Sequence, residues 1–181
     1  MIRYALVVAG VVGCALAAHA TGAKAPSGYR LDHYHAPTPD AVPGGTVIHT
    51  ATLARMLRDR TVVLVDVLPA PRRPKGLRTG ALWMPKSHRD IPHSVWMPDV
   101  GRGVLNPSIN AWFRHQLSIL AKNRNAAIVF YCHMHCWMSW NAAKRAASIG
   151  YRHVFWYPGG TERWNAAGMP LSVAHPLRPP D

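Results

Sequence analysis

Three short apolar runs alternate with amphipathic stretches along this chain. Thr61-Val-Val-Leu-Val-Asp66-Val67 is rich in valine and apolar almost throughout, the pattern of a strand covered on both faces. Ala126-Ala-Ile-Val-Phe-Tyr131 and His153-Val-Phe-Trp-Tyr157 repeat it. Between them the period becomes helical. Thr50 is placed to cap a short helix over 51–58, with Leu53, Met56 and Leu57 on one side. Pro107 and Ser108 open a helix over 109–122, striped by Trp112, Leu117, Leu120 and Ala121. A helix over 138–149 is stopped by Gly150 at a C-cap position. Gly159-Gly160 predicts a turn, and Thr161 is placed to cap a short helix through Ala166-Ala167. Residues 68–107 read as irregular, with one short strand near 81–84. Strands and helices alternating at this spacing predict an α/β fold, with a central parallel sheet flanked by helices and right-handed crossovers. In such sheets ligands bind beyond the carboxyl ends of strands, where Asp66 and Cys132 fall.

The N-terminus has a different pattern. Arg3, the apolar run Ala5 to Ala18 and the small-x-small site Ala18-His19-Ala20 read as a secretory signal peptide over 1–20. The run is shorter than the roughly 20 residues of a membrane-spanning helix, so no stable span is expected after cleavage. Residues 21–46, rich in Pro, Gly, Ala and His, read as an extended, solvated arm. They are followed by one domain over 47–175 and a tail over 176–181. A periplasmic location follows from the signal. The chain has a formal charge of +13, and Glu162 is its only glutamate. Such a surface favours anionic partners. Export, and the lack of alternating arginine and aromatic residues, argue against nucleic acid.

Of the three cysteines, Cys14 leaves with the signal. Cys132 and Cys136 remain, in the loop Cys132-His133-Met134-His135-Cys136-Trp137. A structural bridge across so short a loop would add little stability, so a redox or metal role is the more natural reading. A cysteine between a strand and a helix start meets free amides and the positive end of a helix dipole, which favour the thiolate. This reading places the reactive sulfur at Cys132. The amides of His133, Met134, His135, Trp137, Met138 and Ser139 form its anion cradle, and Cys136 is the resolving thiol. Asp66 and His88 are candidate supporting residues. The alternative is a copper or zinc site drawn from Cys132, Cys136, His133 and His135, since thiolate and imidazole select such metals. Otherwise no cofactor is expected. Trp137 and Trp140 read either as core or as anchors for a docked partner.

The stretch Ile128-Val-Phe-Tyr-Cys132, Ala142-Ala143, Ala146-Ala147, Gly150-Tyr151, Gly159-Gly160, Trp164 and Ala167-Gly168-Met169-Pro170 resembles the C-terminal half of a rhodanese domain. Val62 to Val67 resembles that family's strand ending in Asp-Val-Arg, with Leu68 in the place of the arginine. His88 is aligned with the histidine of the family's central loop. The resemblance implies a single rhodanese-like domain whose Cys132 carries sulfane sulfur as a persulfide, exchanged with a small sulfur anion or thiol acceptor. The loop lacks the Gly and Arg usual after the cysteine. The run Cys132-x-x-x-Cys136-Trp137 resembles, more narrowly, the exported CXXCW-motif proteins associated with pyrroloquinoline-quinone (PQQ)-dependent alcohol catabolism. That implies a periplasmic accessory of a quinoprotein dehydrogenase or c-type cytochrome, either with redox-active cysteines or as an inactive docking module.

Overall fold

Two central strands are apolar along their length because helices cover both of their faces. The computed structural model describes residues 22–59 and 62–180; the segment read from the sequence as a signal peptide, with Arg3 and Cys14, lies outside them. In chain order the elements are β1 (Thr46–Val47), α1 (Thr50–Arg58), β2 (Val62–Asp66), β3 (Arg89–Asp90), β4 (Val95–Trp96), α2 (Pro107–Leu120), β5 (Ala127–Tyr131), α3 (Trp137–Ser148), β6 (His153–Trp156), α4 (Gly160–Ala166) and β7 (Ser172–Val173). The main sheet has the order β1-β6-β5-β2-β4, with every neighbouring pair parallel. β3 and β7 form a separate antiparallel pair. The fold is thus the expected α/β class, with a central parallel sheet flanked by helices.

Side chains alternate across β5, with Ile128 and Phe130 in one core layer and Val129 and Tyr131 in the other. The first layer includes Phe113 and Leu117 of α2 and Trp140, Ala143 and Ala146 of α3. The second includes Leu53 of α1 and Trp164 of α4. No helix among the described residues is long and apolar enough to cross a membrane.

Several local expectations change. No strand forms over 81–84. Leu82 and Met84 there are 84% and 80% exposed, so the apolar pattern has nothing to pack against. The short strands lie further on, at β3 and β4, where the Trp96 indole N–H donates to the Leu68 carbonyl at 2.6 Å. Thr50 does not cap α1; it is the first helical residue after His49, and its hydroxyl pairs with the Tyr157 hydroxyl at 2.8 Å. Thr161 lies inside α4, which starts at Gly160. α2 starts at Pro107 and is capped by Asn106, whose Oδ1 accepts the Ile109 amide at 2.7 Å. Asn106→Ala is expected to cost about 1 kcal/mol, measurable as a lowered Tm.

The segment before the sheet is not a solvated arm. Residues 22–45 hold no regular strand or helix, yet they lie along α3. The indole N–H groups of the buried Trp137 and Trp140 need acceptors, and the carbonyls of Pro37 and Ala41 supply them at 3.1 and 2.9 Å. Asn141 holds Arg30 through its amide and its carbonyl, and Lys144 reaches the carbonyls of Ser27 and Gly28. On the neighbouring side, Asn141 and the buried Arg145 hold the carbonyls of Val100, Gly101, Arg102 and Gly103. Both tryptophans are core residues, 1% and 0% exposed, so neither is available as a docking anchor.

Candidate active site

The parallel register sets Asp66, the last residue of β2, beside Tyr131, the last of β5. Cys132 follows immediately, at the carboxyl edge of the sheet. Its carbonyl accepts the Thr161 amide at 3.1 Å, which ties the start of the loop to α4. The loop then turns through His135, whose φ of 60° is left-handed, and reaches Cys136, the N-cap of α3.

Two outside elements fix this turn. Glu162 accepts the Met134 amide at 2.7 Å on Oε2, and its Oε1 lies 2.8 Å from His133 Nδ1. From the arm, the Ala36 amide donates to the His135 carbonyl at 3.0 Å, and the Trp137 amide donates to the Tyr34 carbonyl at 2.8 Å. His35 and Cys136 thereby form an isolated antiparallel bridge. Sequence reasoning missed Glu162 as a clamp, although its being the only glutamate was a signal.

The expected amide cradle around Cys132 is not what forms. The amides of Met134 and Trp137 are already bonded elsewhere. Only the His133 amide favours the Cys132 anion, whereas those of Met138 and Ser139 favour that of Cys136. These last two contacts are looser than a conventional cap hydrogen bond, and none is formed at this N-cap. The physical reason is loop length. The chain uses a full turn before α3 begins, so the positive end of the helix meets the second sulfur rather than the first.

The two sulfurs are 2.6 Å apart. Both cysteines are free thiols, 1% and 9% exposed for Cys132 and Cys136. Burial raises the Cys132 pKa well above the ordinary thiol value, and its contact with Cys136 adds to this. The Cys136 pKa is lowered, first by the hydrogen bond from Cys132 and then, against burial, by the two helix amides. Either sulfur can donate in this contact; the deeper burial of Cys132 and the helix end at Cys136 both favour the anion on Cys136. The arrangement sets two buried sulfurs in contact, with Cys136 at the N-terminal end of α3, where an anion is favoured.

Asp66 is fully buried. Its Oδ1 accepts the Leu68 amide at 2.8 Å, and its Oδ2 lies 2.7 Å from His88 Nε2. The His88 ring rests 4.5 Å from Trp96 and 6.2 Å from His133, centroid to centroid. The structure thus brings Asp66 and His88 together. Among the described residues, no group of three or more His, Cys, Asp or Glu side chains is arranged to hold a metal ion. Of the four ligands proposed for copper or zinc, only the two sulfurs meet. His133 turns to Thr161 and Glu162, and the exposed His135 faces a separate cleft.

Comparison with known proteins fits this geometry. The rhodanese-like domain family matches residues 49–167. No curated protein matches the chain. Among solved structures, an uncharacterized protein from Saccharomyces cerevisiae is similar at 25% identity and a TM-score of 0.43, over 68% of this chain and 92% of that one. Thiosulfate sulfurtransferase from Pseudomonas aeruginosa is similar at 16% identity and a TM-score of 0.46, over 76% of this chain and 22% of that one. EanB in complex with hercynine is similar in fold at 20% identity and a TM-score of 0.53, over 78% of this chain and 34% of that one. With the family match covering most of the chain, and a parallel sheet that delivers a cysteine into the loop before α3, the protein belongs to the rhodanese-like domain family.

Proposed function

We propose that this rhodanese-like protein performs thiol and sulfane-sulfur chemistry with Cys136 as the attacking thiolate and Cys132 as the resolving thiol. One observation supports this reading: the two sulfurs are in contact, close enough to pair, with Cys136 at the N-terminal end of α3. The thiolate is the reactive form, and the more exposed, anion-stabilised sulfur is the one that attacks. In the first step the Cys136 thiolate attacks the outer sulfur of a persulfide R–S–SH. The donor S–S bond breaks, R–S⁻ leaves and Cys136–S–SH forms. Cys132 then gives up its proton and its sulfur attacks Cys136 Sγ; the Cys136 S–S bond to the outer sulfur breaks, a Cys132–Cys136 disulfide forms, and the departing HS⁻ leaves with that proton as hydrogen sulfide. The cysteine pair is oxidised by two electrons and the sulfane sulfur is reduced. A thiol reductant restores the pair. With a disulfide as substrate the same two sulfurs act in the same order.

The biological setting is part of the proposal. Export to the periplasm rests on Arg3, the Ala5–Ala18 run and the Ala18-His19-Ala20 site. A role beside a PQQ-dependent dehydrogenase or c-type cytochrome rests on the likeness of Cys132-x-x-x-Cys136-Trp137 to the CXXCW-motif proteins. Growth on an alcohol by a strain lacking the protein tests it: impaired growth supports the role, and normal growth contradicts it.

The Cys136 thiolate is held low first by the Cys132 hydrogen bond. Cys132→Ala removes that donor, so the pH at which Cys136 alkylation is half-maximal is expected to rise. Thiolate forms as pH increases through the Cys136 pKa, so the wild type reacts at lower pH than the variant. Rates of iodoacetamide labelling across pH check this.

A further inference from the structure

Beside the loop lies a cleft of about 470 Å³ whose lining carries hydrogen-bond donors and the guanidinium of Arg163 but no carboxylate. It is bounded by His49, Thr50, Met134, His135, Tyr157 and Arg163, among others. Arg163 is exposed and makes no ion pair among the described residues, and the same holds for His49 and His135. The nearby carboxylate, Glu162, lines an adjoining depression that Arg163, Thr50 and Met134 share with the cleft, and it is committed to His133 and the Met134 amide. Thr50 and Tyr157 bond to each other through their hydroxyls at 2.8 Å; only one proton is used, which leaves the other hydroxyl able to donate outward. The volume suits a small molecule rather than a protein segment. Met134 and His135 of the cysteine loop line the cleft, and His135 directly precedes Cys136 in the chain, while neither sulfur is part of the lining.

We propose that this cleft binds the carboxylate-bearing end of a small thiol or persulfide, with Arg163 as its principal anchor and His135 as a second donor. The assignment rests on the thiol reading above and names its substrate class. A guanidinium matches a carboxylate with two parallel N–H donors, an arrangement a lysine cannot reproduce. His135 supports the same role. A residue at φ 60° is most easily a glycine, yet this turn places an imidazole there, facing the cleft.

The test uses the full mature chain, reduced, in wild-type form and as Arg163→Ala, Arg163→Lys and His135→Gly. His135→Gly relieves the left-handed backbone, so any loss of binding in it is not a folding defect. S-methylglutathione, which has two carboxylates and no reactive sulfur, is titrated calorimetrically, with its diethyl ester, which keeps the amino group but has no carboxylate, as the control. Arg163→Ala is expected to weaken binding by about tenfold, the loss of one partly exposed charged contact, with Arg163→Lys intermediate. The ester is expected not to bind. In the reactive arm, the rate of Cys136 persulfidation by glutathione persulfide relative to 2-hydroxyethyl persulfide is expected to fall by a similar factor in Arg163→Ala. Equal S-methylglutathione affinity in wild type and Arg163→Ala, or no binding to wild type, overturns the cleft assignment even if Cys136 reacts with both persulfides. Failure of Cys136 to react with either persulfide overturns the thiol reading instead, and the calorimetry alone then decides the cleft.

Discussion

Replacing Cys136 by serine is expected to lower the rate of attack on a persulfide or disulfide by about a thousandfold or more. A serine hydroxyl at the end of α3 does not ionise in the working pH range, so the attacking anion is lost. The rest of the fold is indifferent to this exchange, because Cys136 is an N-cap and serine is a favoured N-cap residue. Cys132→Ser gives a different phenotype. The first step still occurs, but the adduct on Cys136 is not resolved. Mass spectrometry after one addition of a persulfide donor is expected to show one extra sulfur on Cys136 in that variant. The wild type is expected to show an internal disulfide. If Cys136→Ser keeps full activity while Cys132→Ser loses the first step, the roles are reversed.

The second large effect is expected at a residue without a side chain. Gly160 opens α4 at φ 58°, and a Cβ built there would lie 2.3 Å from the His133 carbonyl carbon, 2.4 Å from the Met134 nitrogen and 2.6 Å from the Cys132 oxygen. These are backbone atoms of the reactive loop, and they have no rotamer by which to escape. Gly160→Ala is therefore expected to destabilise the protein by about 3 kcal/mol and to displace the loop. Denaturant unfolding measures the first effect, and loss of the fast Cys136 alkylation measures the second. Gly168 has a similar φ of 74° but open space around its Cβ direction. Gly168→Ala thus carries only the conformational cost and is the control.

Much of this architecture was legible because the buried strands are short and uniformly apolar. Val62–Asp66 and Ala127–Tyr131 read directly as strands covered on both faces, and the helical stripe through Leu117 was visible for the same reason. The caps were less legible. A threonine before a helical pattern looks like a cap, but Thr50 had a tertiary partner in Tyr157, and a long-range hydroxyl pair leaves no local signal. The segment over 22–45 was misjudged because it carries no periodicity of its own. Its order comes from donors on α3, those of Trp137, Trp140, Asn141 and Lys144, which sequence spacing does not link to Pro37 or Ala41. The loop chemistry was half legible. Two cysteines at a strand-to-helix junction were visible in the sequence, but which sulfur meets the helix end depends on where the turn is spent. Here His135 takes the left-handed position and Cys136 the cap.

The central assignment is that the second cysteine of the loop holds the anion and the first holds the proton. Brief iodoacetamide labelling of the fully reduced protein, below the pH at which an ordinary thiol ionises, tests it directly when fragment ions locate the label. The proposal predicts the label on Cys136, with Cys132 reached only later. Label appearing first on Cys132, or on both sulfurs together and only at ordinary thiol pH, contradicts it.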